Sequence, residues 1–227
     1  MRRIIAFFLG LLIAAPAFAG SLTGSVTNYG QGNNVPAFDL TALTSAAGSD
    51  WKTTAAGGVS FGETKNGATG LSSISAVGGA TIGNGTSPQI SKNWSDGTPV
   101  AAGTADQGLS YAGGAASDGM TFTALADTTQ RTLYIYAASQ NDTLIFSAHL
   151  NDSSAADYTD NSLVNTVTYN YTWGLYTITY TATSTTTLQV TVKTTGTGYV
   201  AVTAAYFTPG APAAPVLHTR SLLGVGL

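Results

Sequence analysis

Four sets of residues in this 227-residue chain have types and spacings that could do chemistry. Gly58-Val59-Ser60-Phe61-Gly62 fits the pattern G-x-S-x-G, in which a strand-to-helix turn lifts a serine nucleophile above a sheet. That serine needs an acid and then a histidine later in the chain. No helical periodicity follows Ser60, and no alternation of strands and helices is present to build such a sheet. In a chain with 27 glycines the match reads as chance. Ser147 and His149 share one face of a strand. Residues two apart are separated by about 6.5 Å at the backbone, a poor fit to hydrogen-bond reach. No catalytic residue is assigned, and the chain reads as a non-enzyme.

Asp152, Asp157 and Asp160 form the densest acidic cluster and are the candidate metal ligands. A hard cation takes several oxygens from one loop, which makes a structural calcium ion the one candidate cofactor. The spacing does not fit an EF-hand loop, and aspartates in turns commonly bond their own backbone instead. With no cysteine and only His149 outside the tail, soft-metal sites lack ligands. The aromatic residues offer flat rings on which the C–H face of a sugar can pack. Trp94, before the turn Ser95-Asp96-Gly97, is expected in the core. Tyr134 and Tyr136 alternate with Leu133 and Ile135 and so face away from that pair. With Trp173 they are the candidate exposed ligand-binding residues.

The elements that must position these groups read as strands. Leu188, Val190 and Val192 alternate with Gln189, Thr191 and Lys193; Tyr176, Ile178 and Tyr180 alternate with threonines. Similar sets are Leu144 to Leu150, Val200 to Tyr206, Met120 with Phe122, Leu133 with Ile135, and Val167 with Tyr169 and Tyr171. Thr, Val, Tyr and Ile suit a pleated, half-buried surface. Asn151-Asp152-Ser153 and Thr195-Gly196-Thr197-Gly198 supply turns. No window after the N-terminal leader has sustained helical periodicity. The expectation is an all-β, antiparallel β-sandwich of the jelly-roll kind.

At the N-terminus Arg2 and Arg3 precede an apolar run from Ile4 to Ala15, and Ala17-Phe18-Ala19 carries the small residues read by signal peptidase. The run is interrupted by Pro16 and is short of the roughly 20 residues that span a bilayer. Residues 1–19 are therefore expected to be a helical, cleaved signal peptide, which makes the protein secreted, periplasmic or cell-surface. Residues 20–36, rich in Gly, Asn, Ser and Thr, read as a loose segment, 37–208 as the sandwich, and 209–227 as a Pro/Ala linker with a short apolar tail. The formal net charge is −3, and only 8 residues are Lys or Arg, which argues against nucleic acid and anionic lipid as partners. The absence of cysteine leaves core burial as the source of stability.

Several segments in order carry a resemblance: Asp39-Leu40-Thr41, Ser49-Asp50-Trp51, Lys65-Asn66-Gly67, Ile74-Ser75, Asn93 to Pro99, Phe122-Thr123, Ala126 to Tyr136, and Ser147 to Asp160. The succession resembles the galactose-binding-domain-like β-sandwich modules of bacterial exported and carbohydrate-active proteins, over roughly residues 37 to 208. The resemblance implies a non-catalytic jelly roll of a kind that commonly accompanies enzymes acting on glycans. The chain departs from it in having no catalytic domain alongside, and in lacking a second aromatic after Asp50-Trp51. Two functions fit: a binding module for an extracellular glycan or other surface ligand, or a structural or adhesive component of a surface or appendage. A hydrolase lacks its catalytic constellation.

Overall fold

A computed structural model describes residues 20–31, 38–41, 48–54, 62–85, 92–105 and 108–209. The leader, the Ser60 segment and the tail with His218 lie outside the described residues. The larger of two main sheets runs β1 (Ser21–Gln31), β16 (Thr172–Thr181), β12 (Arg131–Gln140), β18 (Tyr199–Pro209), β3 (Asp50–Thr53), β4 (Glu63–Lys65) and β8 (Gly97–Thr98). At one end β10 (Leu109–Gly113) pairs with β18 and with β6 (Gly83–Gly85). The smaller sheet runs β14 (Tyr158–Asp160), β13 (Asp142–Leu150), β17 (Thr186–Thr194), β11 (Gly119–Ala126) and β5 (Ser75–Val77), with β15 (Val164–Asn165) against β13. A third, small sheet holds β2 (Phe38–Asp39), β7 (Lys92–Ser95) and β9 (Ala102–Ala105). All pairs between these strands are antiparallel except β2 with β7. The long strands β11, β12, β13, β16, β17 and β18 alternate between the main sheets along most of their order, the crossing connectivity of a jelly-roll sandwich.

The alternating runs explain the main core. Leu133, Ile135, Tyr176, Ile178, Tyr180, Val200 and Val202 from the larger sheet meet Phe122, Phe146, Leu150, Leu188 and Val190 from the smaller. Phe146 and Tyr176 stack face to face across it, with ring centroids 4.0 Å apart. Each large apolar side chain buried this way contributes about 1.5–3 kcal/mol.

Two local expectations are overturned. Residues 20–36 were expected to be loose, yet Ser21–Gln31 is an edge strand in register with β16 from Ser21↔Thr181 to Gln31↔Thr172. Its inward positions are Leu22, Gly24 and Val26; Gly24 is required because a Cβ there would lie 2.7 Å from both Ile178 and the Tyr158 ring. The Val167–Tyr169–Tyr171 alternation is not a strand but a turn. Tyr169 sits at φ 71° and is 89% exposed. Buried Asn165 closes the turn by accepting from the Val167 amide at 2.6 Å and donating to the Asn170 carbonyl at 2.8 Å.

A second core occupies the other face of the larger sheet. Leu40 and Trp94, the latter from the small sheet, cover Trp51, with Tyr136, Ala138, Tyr171, Trp173, Ala201 and Ala204 in the same cluster. The small sheet is fastened by Lys92, which is fully buried. Its Nζ donates to the carbonyls of Thr54 and Gly108, both at 2.7 Å, and to Thr203 Oγ1 at 2.9 Å. Thr203 is the extra residue of a β-bulge, where Tyr136 opposes Ala204 and Ala137 opposes Val202. Its hydroxyl donates in turn to Gly108 O at 2.7 Å.

Replacing Lys92 by Met keeps the apolar stem and strands these acceptors without a donor. The variant is expected to lose about 3 kcal/mol or more of folding stability, read as a lower urea midpoint with an unchanged slope.

Candidate functional site

The side of the larger sheet away from the main core carries short hydroxyls and tyrosines in rows, because successive strands are in register and every second residue points the same way. One row across the sheet is Ser25, Thr177, Tyr134, Tyr206 and Trp51, from β1, β16, β12, β18 and β3. The next toward the chain ends is Thr23, Thr179, Thr132 and Thr208, in which Thr132 and Thr179 hydroxyls lie 3.3 Å apart. Trp51 is covered by Trp94, its ring centroid 6.5 Å away. Tyr134 and Tyr206 are half-buried and stack with centroids 4.5 Å apart and planes within 13°. Stacking uses one face of each ring. On the side of Tyr134 away from Tyr206 the row continues with the short side chains of Thr177 and Ser25.

Beside this pair the β1 bulge between Asn28 and Gly30 re-aims Tyr29. Gly30 has φ 75°, and its amide donates to Asn28 Oδ1 at 2.7 Å. The Tyr29 ring then stacks on Tyr136 at 6.3 Å. Burial, then the Tyr29 hydroxyl beside it, pushes the Tyr136 phenol well above its ordinary range. Burial, then neighbouring Tyr134 and Tyr29, raises Tyr206 to about 12. These phenols are therefore neutral hydrogen-bonding groups at any physiological pH. The rows named above carry no charged side chain.

The three predicted aromatic residues fare differently. Tyr134 lies at this site, half-buried. Tyr136 and Trp173, expected to be exposed, are 4% and 1% exposed. The alternation placed Tyr136 correctly opposite Leu133 and Ile135, but that opposite face is itself covered: Tyr29 lies on Tyr136, and Trp173 packs beside Tyr171 at 5.8 Å within the second core. Tyr29 and Tyr206 were missed. Tyr206 was hidden because Val200, Val202, Ala204 and Tyr206 read as one face, whereas the bulge at Thr203 turns Ala204 and Tyr206 to the other; Tyr29 falls in the segment read as loose.

Asp152, Asp157 and Asp160 do not converge. No three His, Cys, Asp or Glu among the described residues lie close enough to hold a metal ion together. Asp152 Oδ1 accepts from the Ser154 amide at 3.1 Å, and its Oδ2 from the Thr183 amide and hydroxyl, both at 3.0 Å. Asp160 accepts from the Ser162 amide and from the Tyr176 hydroxyl at 3.0 Å. Asp157 meets His149 Nδ1 at 2.6 Å, both side chains being exposed. Asp152 and Asp160 each hold the amide two residues on, as in a turn, and Asp157 pairs with the His149 side chain instead.

No protein-family model and no curated protein matches the sequence. Three of the solved structures to which the chain is similar, each at a TM-score below 0.5, contain carbohydrate-binding modules. One contains the CBM22-1 and GH10 modules of Clostridium thermocellum endo-1,4-beta-D-xylanase 10B complexed with xylohexaose: TM-score 0.40, 11% identity, 60% of this chain and 26% of that one. A second is the CBM22-1 xylan-binding domain of Paenibacillus barcinonensis Xyn10C, at TM-score 0.39 and 12% identity over 61% of this chain and 87% of that one. A third, Xyl-CBM35 in complex with a glucuronic acid containing disaccharide, has TM-score 0.37 and 16% identity over 66% and 94%.

The aspartates also set the response to acid. Although burial opposes ionisation, hydrogen bonds from Ser154 and Thr183 hold Asp152 down at about 2. Asp142 is likewise lowered: against burial, Thr195, Thr143, Gly196 and Gly198 all donate to it. Folded values below the unfolded carboxylate value mean that this stability is present above about pH 4 and is lost as pH falls toward about 2. Urea midpoints are expected to be level from neutrality to about pH 5 and to drop below about pH 4; Asp142→Asn should make that drop shallower.

Proposed function

We propose that the chain is an exported, non-catalytic binding module that takes an extracellular glycan against Tyr134. The observation that carries this reading is the half-buried Tyr134 ring, stacked on Tyr206 and followed in its row by the short hydroxyl side chains of Thr177 and Ser25. A pyranose has an apolar C–H face and a rim of hydroxyls. The ring accommodates the first, and the Ser/Thr hydroxyls, each both donor and acceptor, accommodate the second. An uncharged row suits a neutral polymer better than an anionic or cationic one. The leader at residues 1–19 supports export to where such polymers are met. At the TM-scores and identities given above, the ligands named for the solved modules are not carried over to this chain.

A second reading, a structural or adhesive subunit, is favoured by β1. This strand ends the larger sheet and has 11 residues, none of them Lys or Pro, the usual blunting residues of an open edge.

On a polysaccharide panel read by affinity electrophoresis, Tyr134→Ala is expected to weaken retention by roughly tenfold or more, while Tyr134→Phe keeps most of it. Equal retention by wild type and Tyr134→Ala would remove the ring from the site. No retention on any glycan, with light-scattering mass rising with concentration, would favour the structural reading instead.

A further inference from the structure

Among the described residues, the non-glycine positions with positive φ are Asp96, Ser117, Asn141, Ser153 and Tyr169. The first four are short residues whose polar side chains can bond locally, which eases the left-handed region. Tyr169, at φ 71°, is the bulky exception. It is also 89% exposed, whereas the other large apolar side chains on the described surface reach 47% at most. A ring so exposed gains little from packing, and glycine or asparagine would take the same φ more easily. The turn is nonetheless held in this form by Asn165, which is 2% exposed and bonds the Val167 amide at 2.6 Å and the Asn170 carbonyl at 2.8 Å. Strain of this kind persists where the surrounding structure over-determines it, and it clusters where ligands are held.

The neighbours of the ring select what it can meet. Thr166, Thr168 and Asn170 are exposed with it, and no residue between Asp160 and Lys193 is charged. Asp142, opposite Asn165, is taken up by the amides of Thr143, Gly196 and Gly198. A charged ligand therefore finds no opposite charge on this turn, and anionic lipid finds no basic residue. An apolar pocket of a partner protein, or a bilayer interior, would strip water from the Thr168 hydroxyl and the Asn170 amide without returning hydrogen bonds. A ligand with an apolar C–H face and a rim of hydroxyls meets the ring and these polar neighbours together, and a neutral sugar is such a ligand. The turn is distinct from the Tyr134 row. That row crosses β16 at Thr177, about 17 Å along the strand from its first residue, Thr172, and Tyr169 lies beyond that end.

We infer that the Tyr169 turn is a second glycan contact, in which one neutral sugar residue packs on the Tyr169 ring and bonds through its hydroxyls to Thr168 and Asn170. That the ligand is a sugar rests on the glycan reading above; that the turn displays a strained ring to a ligand does not.

The test is an amide-resolved titration of the 15N-labelled full chain with neutral hexasaccharides cut from cellulose, xylan and mannan, each alone, and with phosphatidylcholine vesicles. At least one hexasaccharide is expected to shift Thr166 to Asn170 saturably, and the vesicles to leave them unmoved. Tyr169→Asn suits the positive φ and removes the ring. It should weaken the response of the turn roughly tenfold or more, leave any response of Thr132 to Tyr136 unchanged, and raise the urea midpoint by relief of strain. Tyr169→Phe should keep most of the response and the wild-type midpoint. A turn silent to all three sugars, a response to the vesicles, or an undiminished response in Tyr169→Asn would overturn the inference. So would a Tyr169→Asn midpoint no higher than wild type, because the ring would then serve the fold. Shifts of Thr132 to Tyr136 beside a silent turn overturn this contact alone. Shifts of the turn with Thr132 to Tyr136 silent overturn the Tyr134 site alone.

Discussion

An ammonium group with no water in reach needs acceptor oxygens around it, and Lys92 draws them from three separate stretches of chain. Thr54 follows β3, Gly108 precedes β10, and Thr203 is the bulged residue of β18. Thr54 Oγ1 and Thr203 Oγ1 both donate onward to Gly108 O, so the hydroxyls are satisfied as well. None of these partners is a carboxylate. The arrangement joins β7 to the larger sheet, and with it Trp94. That fixes which part of the aromatic face is dry: Trp51 lies under Trp94, while Tyr206, its cross-strand neighbour, stays half-wet.

The larger sheet is buried on one side where β10, β12, β16 and β18 face the smaller sheet, and on the other only in part. The boundary between covered and open surface runs through the tyrosines. Tyr136 and Trp173 belong to the covered part, Tyr134 and Tyr206 to its margin, and Ser25, Thr177 and Thr179 to the open part. A ring at such a margin is held rigidly by its stacked neighbour yet still meets solvent. Two β-bulges, at Asn28/Gly30 and at Thr203, produce this margin by displacing side chains that a regular pleat would have set elsewhere.

The sandwich was legible in the sequence wherever large apolar residues alternated with threonine, as in Leu188 to Val192 or Tyr176 to Tyr180, because burial on one face imposes that period. Trp94 was legible as core for its position before an Asp-Gly turn. Strand β1 was not, since its inward positions include Gly24, whose missing side chain is replaced by the Tyr158 ring from another strand. The exposure of Tyr136 and Trp173 was misjudged for a related reason. Alternation says which residues share a face; it carries no information on whether another segment, here Tyr29 on Tyr136 and Tyr171 beside Trp173, lies across it. The turn at Tyr169 was hidden by residue types that favour strands, and only Asn165, bonding both ends, accounts for it. At Asp152 and Asp160 the carboxylate accepts from the amide two residues on, as turn chemistry predicts.

The scarcity of charge has a consequence for the medium the protein can tolerate. Among the described residues the side-chain ion pairs are Arg131 with Asp127 and His149 with Asp157. Most other carboxylates, Asp142, Asp152 and Asp118 among them, are held by backbone amides at contact distance. Mobile ions screen interactions beyond about 8–10 Å and barely touch contacts at hydrogen-bond range. A fold held together in this way depends little on the screening of charges by mobile ions.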